Sequence, residues 1–400
     1  MPDRRQLQAF HPFARLNRLL AGVTPKNVEE RGDAPILLSV GEPQNQPPAF
    51  VAEELARAAT GWSRYPPPRG TAAYREACAD WLRRRYNLPT SMIDPERHIL
   101  PLPGSREGLF FAAVTAAPST SSDGQRPAVL VPNPFYHVYP GAAVSVGAEP
   151  VYVTGQPENR FLPDIAALDP DVLARAVLYF YCSPANPHGN AADKAALETV
   201  IQQARRHDFT AAFDECYAEI YTGSPPAGAL EAAADLGGSL ENLLVFHSLS
   251  KRSSAPGLRC GFVVGDEALI SAMDGALRVG GAGVPLPIMA AGSRLWREEE
   301  HVVANRDLYR KNFEIAERIL GNRFGFVKPD GGFFLWLNVG DGVEATKRLW
   351  REAGIKVLPG AYMCNEDPEF GNPGTPFIRA ALVYDAETTE AALNRMVEVL

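Results

Sequence analysis

The chain has no long apolar run that would span a membrane. None of its stretches approaches the roughly 20 continuous apolar residues that a spanning helix needs. Residues 1–13 contain two arginines, but no apolar run with a small-residue cleavage site follows, so we do not expect a secretory signal. A membrane is therefore not an expected partner.

Cysteine is also scarce. The five cysteines are scattered and odd in number, and no pair has CxxC spacing. Zinc sites and disulfide frameworks need cysteines at regular spacing, so we expect neither, and we predict no metal ligands. A reducing cytoplasm is the simplest location for this composition.

Positive charge is not in excess, since the formal net charge is -8. Proteins that bind the phosphate backbone of nucleic acids present a dense basic patch. The short cluster of three arginines at 83–85 is better explained as the solvated face of a helix. Nucleic acid is not an expected partner.

The sequence does contain alternating strand-like and helix-like segments, and its 400 residues suit two domains. Continuous apolar runs separated by helical patterns indicate strands buried on both faces. We predict an α/β fold with a mostly parallel sheet flanked by helices, and with ligands beyond the carboxyl ends of the strands. The predicted strands are 128–131, 150–153, 176–181, 210–214, 243–248 and 260–264, and 191–206 is a predicted helix.

The last third of the chain has a different pattern. A long amphipathic helix over residues 290–320 leads into strand-like segments at 332–338, 355–358 and 377–383, with a helix at 341–353. This pattern predicts a smaller α+β domain. We expect residues 49–287 to form the large domain, and residues 1–48 with 288–400 to form the small one.

Lys251 follows an apolar strand in the segment Ser248-Leu249-Ser250-Lys251. A lysine that loses solvation in such a place has a lowered pKa and is nucleophilic toward an aldehyde. Ser248 and Arg259 flank it, and the planar fork of an arginine suits phosphate oxygens. A surface lysine in a polar loop is the competing interpretation.

Asp214 stands at the carboxyl end of the predicted strand 210–214, where open α/β sheets bind ligands. A carboxylate facing a pyridine nitrogen keeps that nitrogen protonated and so maintains an electron sink. Tyr217, three residues later, is placed to reach a phenolic oxygen of the same ring. The alternative for Asp214 is a helix N-cap with an acidic first turn.

Two further segments complete this set. In segment 183–189, Asn186 is a candidate donor to a ring oxygen, although an ordinary Asn-Pro turn is the better interpretation on local grounds. Gly104, Ser105 and Arg106 open a helix, and the N–H groups at a helix start bind phosphate, with a plain Ser-capped helix as the alternative. Together the segments supply an amine, a carboxylate, a ring-oxygen donor and phosphate contacts, as a pyridoxal 5'-phosphate site requires.

On these residues the chain resembles the fold-type I aminotransferases of the aspartate aminotransferase superfamily. The resemblance implies the family's large pyridoxal-phosphate domain, amino acid and 2-oxo acid substrates, and a homodimer with shared active sites. The matching stretches are Asn186-Pro187-x-Gly189, Asp214-x-x-Tyr217, Ser248-Leu249-Ser250-Lys251 with Arg259, and Phe377-Ile378-Arg379. The resemblance covers nearly the whole chain.

The resemblance also implies a role for each matching residue. Lys251 would form a Schiff base with the cofactor and move the substrate proton, while Asp214 would pair with the pyridine nitrogen. Arg379 would bind the substrate α-carboxylate beside Gly41, with Asn186 as a further substrate contact. The other implied cofactor contacts are Tyr217 and Asn186 on the ring oxygen, Tyr136 on the ring face, Gly104, Ser105, Arg106, Ser248 and Arg259 on the phosphate, and Tyr65 on the phosphate of the partner subunit.

A narrower resemblance is carried by residues 132–139, 214–221 and 246–253, which are similar to bacterial N-succinyldiaminopimelate aminotransferases. It implies N-succinyl-L,L-diaminopimelate with glutamate and 2-oxoglutarate, in lysine biosynthesis. The candidate cations for the distal carboxylates are Arg106, Arg252 and Arg278. The sequence departs from the family at His188, where the Asn-Pro-x-Gly turn usually has threonine.

Other functions are compatible with the same scaffold. One is an aminotransferase for aspartate or aromatic substrates, and another is a pyridoxal-phosphate C–S β-lyase that expels a β-leaving group. A third is the non-enzymatic sensor domain of some transcription regulators, which follows a DNA-binding domain. We expect this chain to begin its own fold near Phe13, so the sensor is the least expected, and the sequence predicts an aminotransferase.

Overall fold

A computed structural model describes residues 11–26, 28, 32, 34–117 and 125–400. Its strands are β1 (Ile36–Leu37), β2 (Ile99–Leu102), β3 (Ala128–Asn133), β4 (Glu149–Thr154), β5 (Ala176–Cys182), β6 (Thr210–Asp214), β7 (Leu243–Ser248), β8 (Gly261–Gly265), β9 (Phe334–Asn338), β10 (Ile355–Lys356), β11 (Leu358–Pro359) and β12 (Phe377–Ala381). The largest sheet has seven strands in the order β2-β8-β7-β6-β5-β3-β4. Its pairs from β4 to β7 are parallel, and β8 pairs antiparallel with both β7 and β2.

The mostly parallel α/β sheet predicted from the sequence is thus confirmed. Two of the predicted strands coincide with β6 and β7, and the predicted strand at 260–264 is the antiparallel β8, shifted by one residue. Strand β2 was missed because it is short and contains Pro101. Proline lacks the N–H that a central strand needs, and β2 tolerates it because it lies at the edge of the sheet.

Helices cover both faces of this sheet. Alternate residues of a strand point to opposite faces, and in β5 the rings of Tyr179 and Tyr181 enter one apolar core while Leu178 and Phe180 enter another. No helix in the described ranges is both long and apolar enough to cross a bilayer. The helices are α1 (Pro12–Leu19), α2 (Phe50–Arg57), α3 (Ala72–Tyr86), α4 (Pro95–His98), α5 (Ser105–Ala116), α6 (Val138–Ser145), α7 (Pro170–Ala174), α8 (Lys194–His207), α9 (Ala229–Asp235), α10 (Leu249–Arg252), α11 (Glu267–Gly280), α12 (Leu286–Arg297), α13 (Glu300–Leu320), α14 (Gly342–Ala353) and α15 (Ala386–Val399).

The single helix predicted over residues 290–320 is wrong, since two helices, α12 and α13, occupy this range. Glu298 has extended backbone angles and interrupts the helical path. Its carboxylate accepts hydrogen bonds from the N–H groups of Glu300 at 2.6 Å and His301 at 3.2 Å. These N–H groups have no partner within a new helix, so the carboxylate stabilises the start of α13.

A smaller antiparallel sheet, ordered β11-β12-β9, belongs to the last third of the chain. The predicted strand at 355–358 is divided, because β10 pairs with β1 and β11 pairs with β12. Helices α13, α14 and α15 and strand β1 share an apolar core with this sheet. The domain limits at 48 and 287 stay predictions, part of the N-terminal segment lies outside the described residues, and α12 packs into the core of the large sheet through Trp296.

Candidate active site

A cavity of about 550 Å³ opens at the carboxyl ends of β5, β6 and β7, where α/β sheets bind ligands. Residues of the N-terminal segment and of the last third of the chain form its other walls. Gly104 lies beside it, in contact with Arg259. The sequence-predicted residues that line it are Gly41, Ser105, Arg106, Tyr136, Asn186, Asp214, Tyr217, Ser248, Lys251, Arg259 and Arg379.

Lys251 reaches this cavity from α10. Ser248 ends β7 and caps the short helix by accepting a hydrogen bond from the N–H of Ser250 at 3.2 Å. The Lys251 Nζ donates to the carbonyl oxygen of Gly41 and lies 5.2 Å from the ring centroid of Phe333. Burial lowers the pKa of the Lys251 amine to about 8. This amine therefore loses its proton more readily than an exposed lysine, and becomes a better nucleophile and base.

Asp214 ends β6 and is 4% exposed. Its Oδ2 accepts a hydrogen bond from the Tyr139 hydroxyl at 2.8 Å, and its Oδ1 accepts one from the N–H of Cys216 at 3.3 Å. Burial raises the pKa of the Asp214 carboxyl. The Tyr139 ring is fixed in turn by stacking on Phe180, with 4.7 Å between centroids. The carboxylate is thus oriented, and a cationic N–H in the cavity would compensate for its lost solvation.

Arg259 lies across the start of α5. Its Nη2 donates to the carbonyl oxygen of Pro103 and to Glu107 Oε2, both at 2.8 Å, and its Nη1 donates to the carbonyl oxygen of Pro256 at 3.0 Å. Gly104 has a φ of +104°, and a Cβ at this position would overlap Arg259 Nη2. Glycine is therefore required here both for the backbone angle and for the close approach of the guanidinium.

The start of α5 has the features of an anion site. No side chain caps this helix, so the N–H groups of its first turn are left for another acceptor. Ser105 lines the cavity at this end, and the hydroxyls of Ser248 and Ser250 are hydrogen-bonded at 3.0 Å nearby. Arg106 donates to Glu107 Oε1 at 2.9 Å, so the carboxylate of Glu107 bridges Arg106 and Arg259.

Arg379, on β12, is 4% exposed and has no acidic partner among the described residues. Its Nη1 donates to Asn186 Oδ1 at 2.9 Å and its Nη2 to the carbonyl oxygen of Ser39 at 2.6 Å. The guanidinium lies 4.3 Å from the ring centroid of Phe334, and its buried Nε has no hydrogen-bond partner. Burial lowers the pKa of Arg379 to about 10. Its positive charge is therefore left for a ligand carboxylate, while the Asn186 amide group keeps its N–H donors.

Tyr136 and Tyr217 form aromatic parts of the wall. The centroid of the Tyr136 ring is 5.6 Å from that of Tyr139, and Tyr217 packs edge-on against Phe333 at 5.4 Å. Burial raises the pKa of both hydroxyls, so both remain neutral donors at ordinary pH. Tyr65 is different, since it is 99% exposed and does not line this cavity.

Two of the cations proposed for a distal carboxylate lie elsewhere, so the sequence-based prediction is wrong for them. Arg252 is 2% exposed, donates to the carbonyl oxygen of Leu295 and to Glu299, and packs against two tryptophan rings. Arg278 donates to Asp274 on the same helix. One of these arginines is buried and the other is paired with an acidic side chain, whereas the sequence shows only that each carries a positive charge.

His188, where the sequence departs from the family, does not line the cavity. Its Nδ1 accepts a hydrogen bond from the N–H of Asn190 at 3.2 Å, and its ring lies 5.7 Å from that of Phe161. Burial lowers the pKa of His188 to about 3, so the ring is neutral at ordinary pH. Its effect is on the turn that carries Asn186.

Several groups at the site were missed by sequence reasoning. Ser250 had a usable signal, since it stands between Ser248 and Lys251, but Tyr139 and Glu107 read as ordinary helix residues. His11 and His137 line the cavity with ring centroids 5.4 Å apart. They had no signal, because only the packing of α1 against the last third of the chain brings His11 there.

These residues fit pyridoxal 5'-phosphate. The uncapped start of α5 and the two serine hydroxyls suit its phosphate, and Asp214 suits its pyridinium N–H. The desolvated amine of Lys251 lies in the same cavity and suits its aldehyde. The Arg379 guanidinium, which lines the cavity and bonds to neutral oxygens, suits a substrate carboxylate.

Comparison with known proteins gives a consistent result. A family model described as aminotransferase class I and II matches residues 34–400. The crystal structure of an aminotransferase from Neisseria meningitidis has a TM-score of 0.90 and 38% identity, covering 97% of this chain and 96% of that one. The residues matched by the family model, 34–400, include all the predicted site residues.

Curated relatives differ in their named activities. An LL-diaminopimelate aminotransferase from Syntrophobacter fumaroxidans is 31% identical over 98% of this chain and 97% of its own length. A 4-dedimethylamino-4-oxo-anhydrotetracycline transaminase from Streptomyces rimosus is also 31% identical, over 93% of this chain and 95% of its own. Equal identity therefore accompanies different named substrates, so overall identity alone does not identify the substrate of this chain.

Proposed function

Because this chain belongs to the aminotransferase class I and II family, and so is a pyridoxal-phosphate-dependent aminotransferase, we propose that its amino donor is a diaminopimelate. We propose N-succinyl-L,L-diaminopimelate as the preferred form and 2-oxoglutarate as the acceptor. The observation that carries the reaction is the placement of the Lys251 amine and the unneutralised Arg379 guanidinium in one cavity.

The cofactor, when bound, supplies the electron sink that acidifies the α C–H bond of the substrate. In our proposal Asp214 accepts a hydrogen bond from its pyridinium N–H, and Tyr139 holds this carboxylate in place. Asn186 and Tyr217 donate to its ring oxygen, and Tyr136 covers the ring. The phosphate is held by Ser105, Ser248, Ser250, Arg259 and the first N–H groups of α5, beside Gly104 and Arg106.

Lys251 moves the proton in this scheme. With a pKa of about 8, its Nζ is poised to accept a proton from the substrate α-carbon and to release it again. The carbonyl oxygen of Gly41 accepts a hydrogen bond from the same Nζ and so fixes where the proton is held. A base catalyses proton transfer most efficiently when its pKa is close to the working pH, and burial moves the pKa of Lys251 toward neutrality.

Arg379 orients the substrate. A carboxylate that bonds to its guanidinium displaces no internal ion pair, because Asn186 and Ser39 are neutral acceptors. The buried position also strengthens the electrostatic attraction. A carboxylate held there directs the substrate α-carbon toward Lys251. Binding of the carboxylate therefore also orients the α C–H bond that reacts.

The preference for a succinylated donor is supported by the polar side chains near α1. The His11 Nδ1 accepts a hydrogen bond from the N–H of Ala14 at 3.3 Å, so its Nε2 is the ring nitrogen that can donate to a ligand. Burial lowers the pKa of His137 to about 4, so the His137 ring is neutral at ordinary pH. The two histidines and Arg106 line the cavity and suit the carboxylate and amide oxygens of a succinyl arm. A free distal ammonium would instead need an acidic partner, for which Glu42 is in place.

A panel of amino donors tests this proposal. The purified holoenzyme is mixed with N-succinyl-L,L-diaminopimelate, L,L-diaminopimelate, aspartate or phenylalanine, and the change in cofactor absorbance is followed. We expect the fastest change with the succinylated donor. Faster reaction of L,L-diaminopimelate or of aspartate would overturn the preference, and pyruvate with ammonia from cystathionine would indicate a β-lyase.

Two matched variants sharpen the panel. Arg106→Gln should lower kcat/KM for the succinylated donor by about tenfold, the cost expected for one charge-assisted hydrogen bond. Glu42→Gln should leave that value within about twofold, since the donor has no free distal ammonium. The opposite pattern would show that the distal ammonium of the free diamine is recognised.

We also propose a homodimer in which Tyr65 completes the site of the partner subunit. The exposure of Tyr65 supports this, because a side chain that is 99% exposed is free to contact a second subunit. Mixed dimers of Tyr65→Phe and Lys251→Ala subunits provide the test. One site of each mixed dimer would carry both defects and the other neither, so activity should reappear on mixing, and two inactive parents that stay inactive would contradict the proposal.

A further inference from the structure

Two asparagines of α13 bind the backbone of the two segments that carry Lys251 and Arg379. The Asn305 Nδ2 donates to the carbonyl oxygens of Lys251 at 3.0 Å and Arg252 at 3.2 Å. The Asn312 Nδ2 donates to the carbonyl oxygens of Leu382 at 3.1 Å and Tyr384 at 2.8 Å. Each side-chain amide group therefore connects α13 to two carbonyl groups.

At the lysine end, Asn305 satisfies groups that the short helix α10 leaves open. The last carbonyl groups of any helix have no partner inside it, and α10 has only 4 residues. The Asn305 Oδ1 is also used, since it accepts a hydrogen bond from the hydroxyl of Ser254 at 2.7 Å. Ser254 has a positive φ of 47°, so the chain turns sharply where Asn305 holds it.

Neighbouring contacts reinforce this attachment. Arg252 donates to the carbonyl oxygen of Leu295 at 2.6 Å and to Glu299 Oε1 at 2.8 Å. The hydroxyl of Ser253 is hydrogen-bonded to His301 Nε2 at 2.8 Å. The end of α12 and the first turns of α13 thus hold each residue from Lys251 to Ser254, which leaves the lysine backbone little freedom.

At the arginine end, Leu382 and Tyr384 directly follow β12, the strand of Arg379. This strand is paired on both sides, with β9 and β11, so it moves as a unit. Asn312 is fully buried, and its Oδ1 has no hydrogen-bond partner. A buried polar atom without a partner is costly, so the two hydrogen bonds of its Nδ2 must outweigh that cost.

We propose that α13 is a strut that sets the separation between the Lys251 amine and the Arg379 guanidinium, with Asn305 and Asn312 as its positioning residues. The two asparagines are two helical turns apart, roughly 10 Å along the axis. Neither lines the cavity, so neither touches the substrate or the cofactor. A stiff helix that is attached at both ends keeps the Lys251 amine and the Arg379 guanidinium at a fixed distance from each other.

The two ends should fail in different ways. Asn305→Asp has the same shape, but it faces two carbonyl oxygens with an acceptor and so releases the lysine segment. We expect kcat to fall by about tenfold or more, because a displacement near 1 Å at the base is that costly. The pH midpoint of the cofactor absorbance, which reports on the Lys251 linkage, should shift by about half a unit. KM for both substrates should stay within about twofold.

Asn312→Asp should displace Arg379 instead. We expect KM for the amino acid and for the 2-oxo acid to rise by a similar factor of about tenfold, since both bind through one carboxylate contact. The dissociation constant of glutarate, an unreactive carboxylate, should rise by the same factor. The absorbance midpoint should not move. Asn312→Ser, which keeps one donor, should give a smaller rise and serves if the aspartate variant does not fold.

Asn322→Asp, at an exposed asparagine just beyond α13, is the matched control and should change none of these values. The crossed pattern supports the strut, with Asn305 acting on kcat and the absorbance midpoint and Asn312 acting on carboxylate binding. If both variants only lower the melting temperature, or both change kcat and KM equally, the two asparagines stabilise the fold without positioning the reacting groups, and the proposal is overturned.

Discussion

Arg259 and Arg379 both present a guanidinium to the cavity, but their surroundings differ in charge. The side chain of Arg259 is 41% exposed and already bonds to the carboxylate of Glu107 at 2.8 Å. Arg379 is 4% exposed and bonds to neutral oxygens of Asn186 and Ser39. One arginine is therefore neutralised within the protein, and the other keeps its full charge in a region of low dielectric.

This difference suits the two anions that we assign to them. A phosphate is also bound by the first N–H groups of α5 and by serine hydroxyls. The orientation of the Arg259 guanidinium therefore matters more for phosphate binding than the strength of its charge. The substrate carboxylate has fewer partners and must be exchanged in every turnover. A buried guanidinium that has no internal counter-ion attracts it strongly, and its binding breaks no competing ion pair.

The largest expected effect follows from replacing Arg379. In Arg379→Ala, kcat/KM should fall by about 10²- to 10³-fold, because a desolvated charge pair contributes roughly 3–4 kcal/mol. The cofactor dissociation constant should change by less than about twofold. Steady-state kinetics and equilibrium dialysis measure the two quantities. Arg278→Ala is the control, since Arg278 bonds to Asp274 outside the cavity, and an equal loss of cofactor binding in Arg379→Ala would contradict the comparison.

Replacing Arg259 should give the reverse pattern with a smaller effect. In Arg259→Ala, the cofactor dissociation constant should rise by about tenfold to a hundredfold, as expected for the loss of charge-assisted hydrogen bonds. KM measured with saturating cofactor should stay near its original value. Arg259→Lys keeps the charge without the planar fork and should lie between. A rise in KM without loss of cofactor affinity would assign Arg259 to the substrate.

The cofactor half of the cavity was largely predictable from the sequence, for a physical reason. Asp214 and Lys251 follow strands, and the carboxyl ends of parallel strands meet at one edge of a sheet. Short segments that end strands are therefore brought together whatever the rest of the fold does. The placement of these residues depends on local patterns that a single sequence contains.

The substrate half was not predictable in the same way. His11 reaches the cavity because α1 packs on Leu358 and Met363, far along the chain. Arg252 looked like a ligand-binding cation, yet it packs against Trp81 and Trp296. These outcomes depend on which distant elements contact each other, and charge or spacing along the sequence does not contain that information.

Lys251 is influenced by both arginines, and its pKa gives a pH-dependent test. Burial, together with the positive charges of Arg379 and Arg259, lowers this pKa from 10.5 to about 8. Because the folded pKa lies below the unfolded one, the folded state binds the proton less tightly. The stability associated with the neutral amine is complete above 10.5 and is lost as the pH falls through 8.

The cofactor-free Lys251→Met variant has no amine at this position, so it should not lose this stability as the pH falls. The free energy of unfolding of the variant minus that of the wild-type protein should be larger at pH 7 than at pH 10.5, by about 3 kcal/mol. Urea unfolding at equal protein concentration measures both differences. Lys311→Met, on the surface of α13, should show no such trend. A difference that does not depend on pH would mean that the amine is hydrated.

The smallest expected effect concerns Glu107, whose carboxylate makes the surroundings of Arg259 differ in charge from those of Arg379. Its carboxylate competes with phosphate for Arg259 Nη2, so Glu107→Gln should tighten the binding of inorganic phosphate to the cofactor-free protein by about threefold to tenfold at low salt. Titration calorimetry measures the dissociation constant of phosphate. The control is Glu149→Gln, which removes the partner of Arg175. The gain should shrink as salt screens the charge. Weaker phosphate binding in Glu107→Gln would instead show that the carboxylate serves mainly to orient Arg259, and that orientation outweighs charge at this site.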